Sequence, residues 1–248
     1  MNVHILNGDA LREQFPSQLE GEIIVARECL VDGEVRGSNL DEFWENRSAF
    51  LEKNYQSSPI DYNDSVVSEF EKILNLPLEA QVHLWFEKDL FCQVNFWFCS
   101  HLLHQHNFVA EVYLVLPESD LRFGFGGMDQ TALQKAYENR HLLQPDSRSG
   151  LAALWLAYQA GDRSQMQSLA RELPSELDFV ERAVAAQIDR TPQDGKWGRP
   201  EQSLLNIMKE LDTDDFAPVF REFSKREAIY GFGDLQVKRM WEELKQDL

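Results

Sequence analysis

The sequence has few cysteines and no long uncharged apolar run, and these two absences narrow the class of protein. Its 248 residues include only 3 cysteines. An odd number without framework spacing is typical of a reducing compartment, so we predict a cytoplasmic protein. The longest apolar stretch, residues 91–103, is interrupted by Gln93, Asn95 and His101. It falls short of the ~20 residues that span a bilayer, and no basic segment opens the chain, so we expect neither a membrane span nor a signal peptide.

Positive charge is also scarce, and the usual phosphate-binding loop is missing. The net charge of −18 repels phosphate backbones, which disfavours a nucleic-acid partner and favours solubility. No Gly-x-x-x-x-Gly-Lys-Ser/Thr motif occurs. The glycine-rich stretch Gly124–Gly127 lacks the strand–loop–helix context of a dinucleotide fingerprint. We interpret it as a loop that joins two domains.

Apolar residues are plentiful, and their pattern predicts an α/β fold. Hydrophobic residues make up 43% of the chain, enough for a sizeable core. Strand-like segments at residues 3–6, 22–26, 82–86 and 111–116 alternate with helical patterns, which favours an open, parallel, Rossmann-like sheet. After residue 128 the strand pattern ends and helical segments follow. We therefore predict an α/β domain over residues 1–125 and an all-helical domain over residues 126–248.

Polar side chains follow three of the predicted strands at the point where each strand ends. In an open parallel sheet, ligands bind outside the carboxyl ends of the strands, so these residues are expected to share one edge. Gln93 lies one helical turn beyond the last of them and faces the same side. The sequence therefore predicts a ligand site formed by Asn7, Gly8, Asp9, Arg27, Glu28, Glu87, Asp89 and Gln93.

Each residue type at this edge suggests a role. We assign Asp9, Glu28 and Asp89 as catalytic candidates, because clustered carboxylates perform acid–base chemistry or hold a divalent cation such as Mg²⁺. Arg27 is expected to bind an anionic group. Asn7, Gly8, Glu87 and Gln93 are assigned to substrate binding, and the identity of any metal or cofactor stays open.

A purely structural interpretation competes with these roles. Asp9 and Asp89 each stand where a helix N-cap is expected, and the glycine of Asn7-Gly8-Asp9 suits a tight turn. Arg27 and Glu28 are also compatible with a surface ion pair.

Other residues with chemical potential favour structural roles. Arg47 falls on the apolar stripe of a helix, where we expect its stem to pack and its charged head to reach water. Cys92 and Cys99, seven residues apart, are predicted to be buried, unreactive thiols, with a nucleophilic Cys92 as the alternative. His101 and His104 share a helix face but lack the spaced partners of a zinc site.

The segment from Tyr230 to Leu235 has two interpretations. Its Tyr-Gly-Phe-Gly-Asp turn, flanked by basic residues, is compatible with the wing of a small winged-helix unit. The acidic balance of the chain disfavours a DNA reader, so a packing corner between two helices is the favoured interpretation.

Three motifs resemble those of a known bacterial family. They are His-Ile-Leu-Asn-Gly-Asp at residues 4–9, Arg-Glu-Cys-Leu-Val-Asp-Gly at 27–33, and Leu-Trp-Phe-Glu-Lys-Asp-Leu-Phe-Cys-Gln at 84–93. Their order and spacing resemble the family called domain of unknown function 1835 over residues 3–116. The chain has Glu34 where the family usually has proline, and Lys88 where it often has histidine, which argues against a catalytic role for position 88. The resemblance implies no activity.

Two functions from different classes remain. The first is a hydrolase or transferase acting on a phosphorylated or nucleotide-like small molecule at the acidic edge. The alternative is a non-catalytic regulatory or adaptor protein that binds a metabolite or a protein partner and uses its helical tail to transmit the bound state.

Overall fold

The computed structural model describes residues 1–106, 108, 110–118, 124–192 and 195–246. Its described strands form one sheet with the spatial order β2-β1-β3-β4-β5. The first four strands are parallel, and the fifth joins β4 in antiparallel orientation. The bounds are β1 (Asn2–Leu6), β2 (Glu22–Val25), β3 (Gln81–Trp85), β4 (Val112–Val115) and β5 (His141–Leu142).

Helices cover both faces of the sheet and form most of the C-terminal half. Short non-α turns interrupt them: a π-helical turn at Asn63–Val67 and 3₁₀ turns at Gly124–Gly127, Ser175–Leu177 and Ala228–Tyr230. No helix among the described residues is long and apolar enough to cross a bilayer. The helices are α1 (Asp9–Glu13), α2 (Leu40–Tyr55), α3 (Pro59–Tyr62), α4 (Ser68–Leu74), α5 (Leu90–Gln105), α6 (Gln130–Glu138), α7 (Pro145–Ala160), α8 (Arg163–Glu172), α9 (Asp178–Asp189), α10 (Arg199–Leu211), α11 (Phe216–Arg226) and α12 (Asp234–Gln246).

The mixed α/β architecture with a mostly parallel sheet and a helical C-terminal region confirms the coarse prediction. Strands β1 and β3 are apolar and almost wholly buried because helices cover both faces, as parallel sheets require. The prediction that the C-terminal region is all-helical was wrong in one place. His141 and Leu142 form β5 within a segment that was expected to be helical, since edge pairing with β4 outweighs the helical pattern there.

The helical half packs directly on the sheet half. Helix α7 lies along α5, and a single hydrophobic cluster runs from Val3 in β1 to Tyr230 near the C-terminus. Buried contacts therefore connect the two sides of residue 125. The domain boundary predicted there stays a prediction.

The loop after β2 fastens the C-terminal helices to the sheet. The Tyr158 hydroxyl donates to the carbonyl of Leu30 at 2.9 Å, and Arg239 of α12 forms an ion pair with Asp32 at 2.5 Å. This docking places α9 and α11 above the carboxyl edge of the sheet, where the predicted site lies.

Candidate active site

The polar residues that follow β1 form an exposed ion pair with Arg27. The Nε of Arg27 lies 2.9 and 2.8 Å from the two carboxylate oxygens of Asp9, and its Nη1 donates to the carbonyl of Ser65 at 2.9 Å. Half of the Asp9 side chain is exposed. The prediction that Asp9 caps a helix was wrong, because Gly8, at φ 94°, occupies the N-cap position of α1.

Glu28, after β2, is locked in a buried ion pair. Its two carboxylate oxygens each accept from Arg47 at 2.8 Å, and one also accepts from the Tyr62 hydroxyl at 2.7 Å. Both charged side chains are fully buried. Two expectations were therefore wrong: Arg47 does not hold its head in water, and Arg27 pairs with Asp9 rather than with Glu28. Arg47 can be buried because the carboxylate of Glu28 neutralises its guanidinium inside the fold.

Glu87 and Asp89, after β3, form a pair of carboxyl groups hydrogen-bonded to each other. Asp89 is the N-cap of α5 and accepts from the backbone N–H of Cys92 at 3.0 Å, which confirms the predicted cap. Glu87 accepts from the backbone N–H of Phe125 at 2.7 Å. Neither carboxyl group forms an ion pair with a described lysine or arginine.

The surroundings of the pair favour its protonated form. Burial and then the neighbouring charge of Asp89 raise the pKa of Glu87 to about 7. Burial likewise raises the pKa of Asp89. Two carboxyl groups in contact disfavour double ionisation, so one proton is shared between them.

Amide side chains lie next to the pair and bond the backbone and side chains around it. Asn7 donates to the Cys92 sulfur at 2.9 Å and accepts from Asn95 at 2.8 Å. Gln93 donates to the Glu87 carbonyl at 2.7 Å, while its own oxygen is buried without a partner among the described residues. Sequence reasoning missed Asn95, whose signal was a polar residue inside an apolar helical run. Asn7 and Gln93 therefore lie beside Glu87 and Asp89, as predicted.

A cleft of about 660 Å³ opens above the pair, between the carboxyl edge of the sheet and the C-terminal helices. Two arginines on its helical side, Arg182 of α9 and Arg221 of α11, are exposed and form no ion pair with a described residue. Sequence reasoning missed both, because nothing local in their helices marks them. The lining residues are Glu87, Lys88, Asp89, Cys92, Pro117, Gly124, Arg182, Phe220, Arg221, Phe223, Ser224, Glu227, Ala228, Ile229, Gly231 and Phe232.

Two glycines let the backbone approach the carboxyl pair. A side chain at Gly124 would overlap the carboxyl group of Glu87, and one at Gly231 would overlap that of Asp89. Both glycines have positive φ angles of 50° and 65°. The stretch Gly124–Gly127 is therefore a cover over Glu87 as well as a connection.

The tail turn that contains Gly231 also belongs to the cleft. The described residues 199–246 contain helices and a 3₁₀ turn without a strand, so the winged-helix interpretation was wrong and the packing corner is confirmed. This corner packs against Asp89 through Gly231, a role that the sequence pattern did not indicate.

Glu87, Asp89 and Cys92 also have the composition of a cation site. One ligand atom from each lies within 4.8 Å of the others. A sulfur donor suits zinc and related metals, whereas Mg²⁺ prefers oxygen, so Mg²⁺ would use only the two carboxylates. Burial, followed by the charges of Asp89 and Glu87, raises the pKa of Cys92, so its thiol is buried and protonated. No other group of this kind, including His101 and His104, occurs among the described residues.

The sequence-predicted residues thus form three separate arrangements at one edge. Asp9 and Arg27 pair at the surface, Glu28 pairs with Arg47 in the interior, and Asn7, Glu87, Asp89 and Gln93 meet at the cleft. Their assigned catalytic and binding roles stay predictions. Comparisons with protein-family models, curated proteins and solved structures find no significant match to this chain.

Proposed function

We propose that the protein is an enzyme, a hydrolase or transferase, that acts on a phosphorylated or nucleotide-like small molecule in the cleft above Glu87 and Asp89. One observation carries the proposal: a hydrogen-bonded carboxyl pair lines the same cleft as two arginines that lack ion-pair partners among the described residues. Acid–base chemistry and anion binding are thereby combined in one cleft.

The carboxyl pair supplies the acid–base step. Glu87, with a pKa of about 7, is half protonated at neutral pH and can give a proton to a leaving group. Asp89 accepts the hydrogen bond from Glu87 and holds the shared proton in place. The sequence predicted Asp9, Glu28 and Asp89 as the catalytic residues. We assign catalysis to Glu87 and Asp89 instead, because Asp9 and Glu28 already form ion pairs with arginines.

The arginines supply the affinity for an anion. The chain carries a net charge of −18, so an anionic substrate is repelled at long range and needs local positive charge. Arg182 and Arg221 line the cleft from two different helices, which allows them to grip a phosphate group from two sides.

Aromatic side chains favour a substrate with a flat ring. Phe220 and Phe232 are partly exposed in the cleft wall. Such faces stack on nucleobases, whose rings are planar and apolar on both sides. A nucleotide offers both a ring for the phenylalanines and a phosphate for the arginines.

The proposal includes the finer sequence predictions. The sheet serves as a Rossmann-like scaffold with its ligand at the carboxyl edge, residues 3–116 belong to the family that they resemble, and the protein works in the cytoplasm. Its partner is a small molecule rather than a nucleic acid or another protein.

The first experiment screens AMP, ADP, ATP and ribose 5-phosphate, with and without Mg²⁺ or Zn²⁺, by thermal shift and by chromatography of products. A ligand at about 100 times its Kd raises the midpoint by about 5–10 °C for a chain of this size. We expect at least one nucleotide to bind and to be converted.

Variants assign the roles. Glu87→Gln should keep binding but lose turnover by about 10²–10⁴-fold. Arg182→Met and Arg221→Met should weaken binding. Arg163→Met, which removes an exposed arginine of α8, is the control and should change neither binding nor turnover. Binding without any turnover would favour the regulatory alternative, and nucleotide binding that survives loss of both cleft arginines would contradict the assigned orientation.

A further inference from the structure

A second cavity, of about 390 Å³, lies at the far end of α5 from the cleft. It opens between the C-terminal turns of α5, the first turn of α7 and the start of β4. Buried apolar side chains form most of its wall: Leu84, Leu103, Phe108, Val112 and Leu143. Leu103 is fourteen residues from Asp89 along one helix, a distance of about 21 Å, so this cavity is separate from the proposed active site.

One arginine, Arg148 of α7, lines this cavity. Its Nη1 donates to the carbonyls of Phe108 and Ala110 at 3.2 and 2.9 Å. Its Nε is buried and has no hydrogen-bond partner among the described residues. It forms no ion pair with any described carboxylate, and burial lowers its pKa. A partly buried guanidinium with an unused N–H destabilises the fold, because its charge and its donor lack a partner. A bound anion would supply that partner.

We propose that this cavity binds a small monocarboxylate with an apolar body, whose carboxylate meets Arg148 and whose body fills the apolar wall. The volume matches a ligand of this size, and ligand pockets combine apolar walls with a few placed polar groups. The first turn of α7, a helix of 16 residues, adds a favourable field for an anion. A phosphate is a poorer fit, because a doubly charged group is best bound by several cationic donors, whereas Arg148 is the one arginine or lysine among the lining residues, beside the polar side chains of Ser100, His104 and Ser149.

The test uses hexanoate and phenylacetate as probes, with hexanol and phenylacetamide as neutral analogues of matching size. Isothermal titration of the full chain at pH 7 should show binding of a carboxylate at least about tenfold tighter than that of its neutral analogue, as expected for hydrogen bonds to a charged group. Equal affinity for hexanoate and hexanol would overturn the proposal, as would absence of binding by both carboxylates at millimolar concentration.

Variants locate the site. Arg148→Met should weaken hexanoate binding by about tenfold or more and leave hexanol unchanged, while Arg148→Lys should keep part of the preference for the carboxylate. Because Arg148 also holds two backbone carbonyls, Ser149→Trp gives a second variant: Ser149 is exposed and lines the cavity, so a large side chain should block entry without harming the fold. Carboxylate binding that survives both Arg148→Met and Ser149→Trp would refute the assigned site. Glu87→Gln should leave hexanoate affinity unchanged, which separates this proposal from that for the cleft.

Discussion

Glu28 and Glu87 leave the same edge of the sheet from β2 and β3, the two strands that flank β1, yet their surroundings differ completely. Glu28 meets a buried arginine and a tyrosine hydroxyl, which use both of its oxygens. Glu87 meets another carboxyl group and a backbone N–H, without a described cation. The first forms a buried ion pair within the fold, whereas burial and the neighbouring charge of Asp89 raise the pKa of the second to about 7.

The difference is decided by residues distant in the chain. Arg47 comes from α2 and reaches Glu28 because that helix packs over the end of β2. Among the described residues, no helix brings a cation into an ion pair with Glu87, and the glycine nearest to it, Gly124, brings backbone close to it. The environment of a carboxylate that follows a parallel strand thus depends on which side chains or backbone groups the later elements of the chain bring against it.

Removing the partner of Glu28 should have the largest effect on stability. Arg47→Met should lower the free energy of unfolding by about 3–5 kcal/mol, because it leaves a buried carboxylate uncompensated and frees the loop carbonyls that Arg47 binds. Urea denaturation at pH 7 measures it. Arg27→Met, which breaks the exposed pair with Asp9, is the control and should cost less than about 1 kcal/mol. A similar small loss for both variants would show that the buried pair is not structural.

A second prediction concerns two buried histidines of the sheet. His4 and His83 are fully buried, adjacent in register across β1 and β3, and stacked at 4.9 Å. Burial lowers the pKa of His4 to about 4 and, together with the charge of His4, that of His83 to about 3. The unfolded chain therefore binds more protons than the fold below pH 6.5, and stability is lost as the pH falls towards these values.

Each histidine is expected to contribute about 3 kcal/mol to the loss between pH 6.5 and pH 4. Urea midpoints across this range measure it. His83→Phe keeps a ring of similar size in the aromatic stack and should flatten the acid limb relative to the wild type. An unchanged slope in this variant would assign the acid sensitivity to other groups.

The sequence predicted the parts of this molecule that depend on local pattern. Four apolar runs correctly located β1 to β4, and Asp89 was correctly placed as a helix cap. The two-residue strand β5 was missed because so short a segment shows no periodicity. Edge pairing, not composition, makes it a strand.

The site was only partly predictable for the same reason. Glu87, Asp89 and Asn7 lie together because strand ends meet at one edge, a rule that needs only the strand assignment. Arg182, Arg221 and Gly231 enter the cleft from the C-terminal half, and the helix packing that brings them there leaves no local mark. The opposite holds for Arg47. The apolar residues on its helix face indicated that this face is buried, but they did not indicate Glu28, the partner that allows the charge of Arg47 to be buried.

Replacing Glu87 should change the stability of the fold in the opposite direction from replacing Arg47. Its folded-state pKa of about 7 lies above the ordinary value of 4.5, so the stabilising contribution of the protonated form is present below pH 4.5 and is lost as the pH rises through 7. Glu87→Gln should therefore be more stable than the wild type by about 1–2 kcal/mol at pH 8 and nearly equal at pH 5. Glu28→Gln, measured beside it by urea denaturation, should lose stability at both pH values. Destabilisation by Glu87→Gln at pH 8 would mean that the charged form of Glu87 supports the fold.

The smallest expected effect separates the two roles of Asp89, as helix cap and as half of the carboxyl pair. Asparagine caps helices as well as aspartate does, so Asp89→Asn should keep the hydrogen bond from the Cys92 N–H and remain within about 0.5 kcal/mol of the wild type. Asp89→Ala should lose about 1 kcal/mol with the cap. Both variants remove the negative charge beside Glu87, so both should lower the Glu87 pKa, which a pH titration of ¹³C-labelled glutamate carboxyls by NMR would follow. If only the alanine variant shifted this pKa, the shared proton would depend on the helix cap rather than on the charge of Asp89, and the contrast with Glu28 would lose its electrostatic basis.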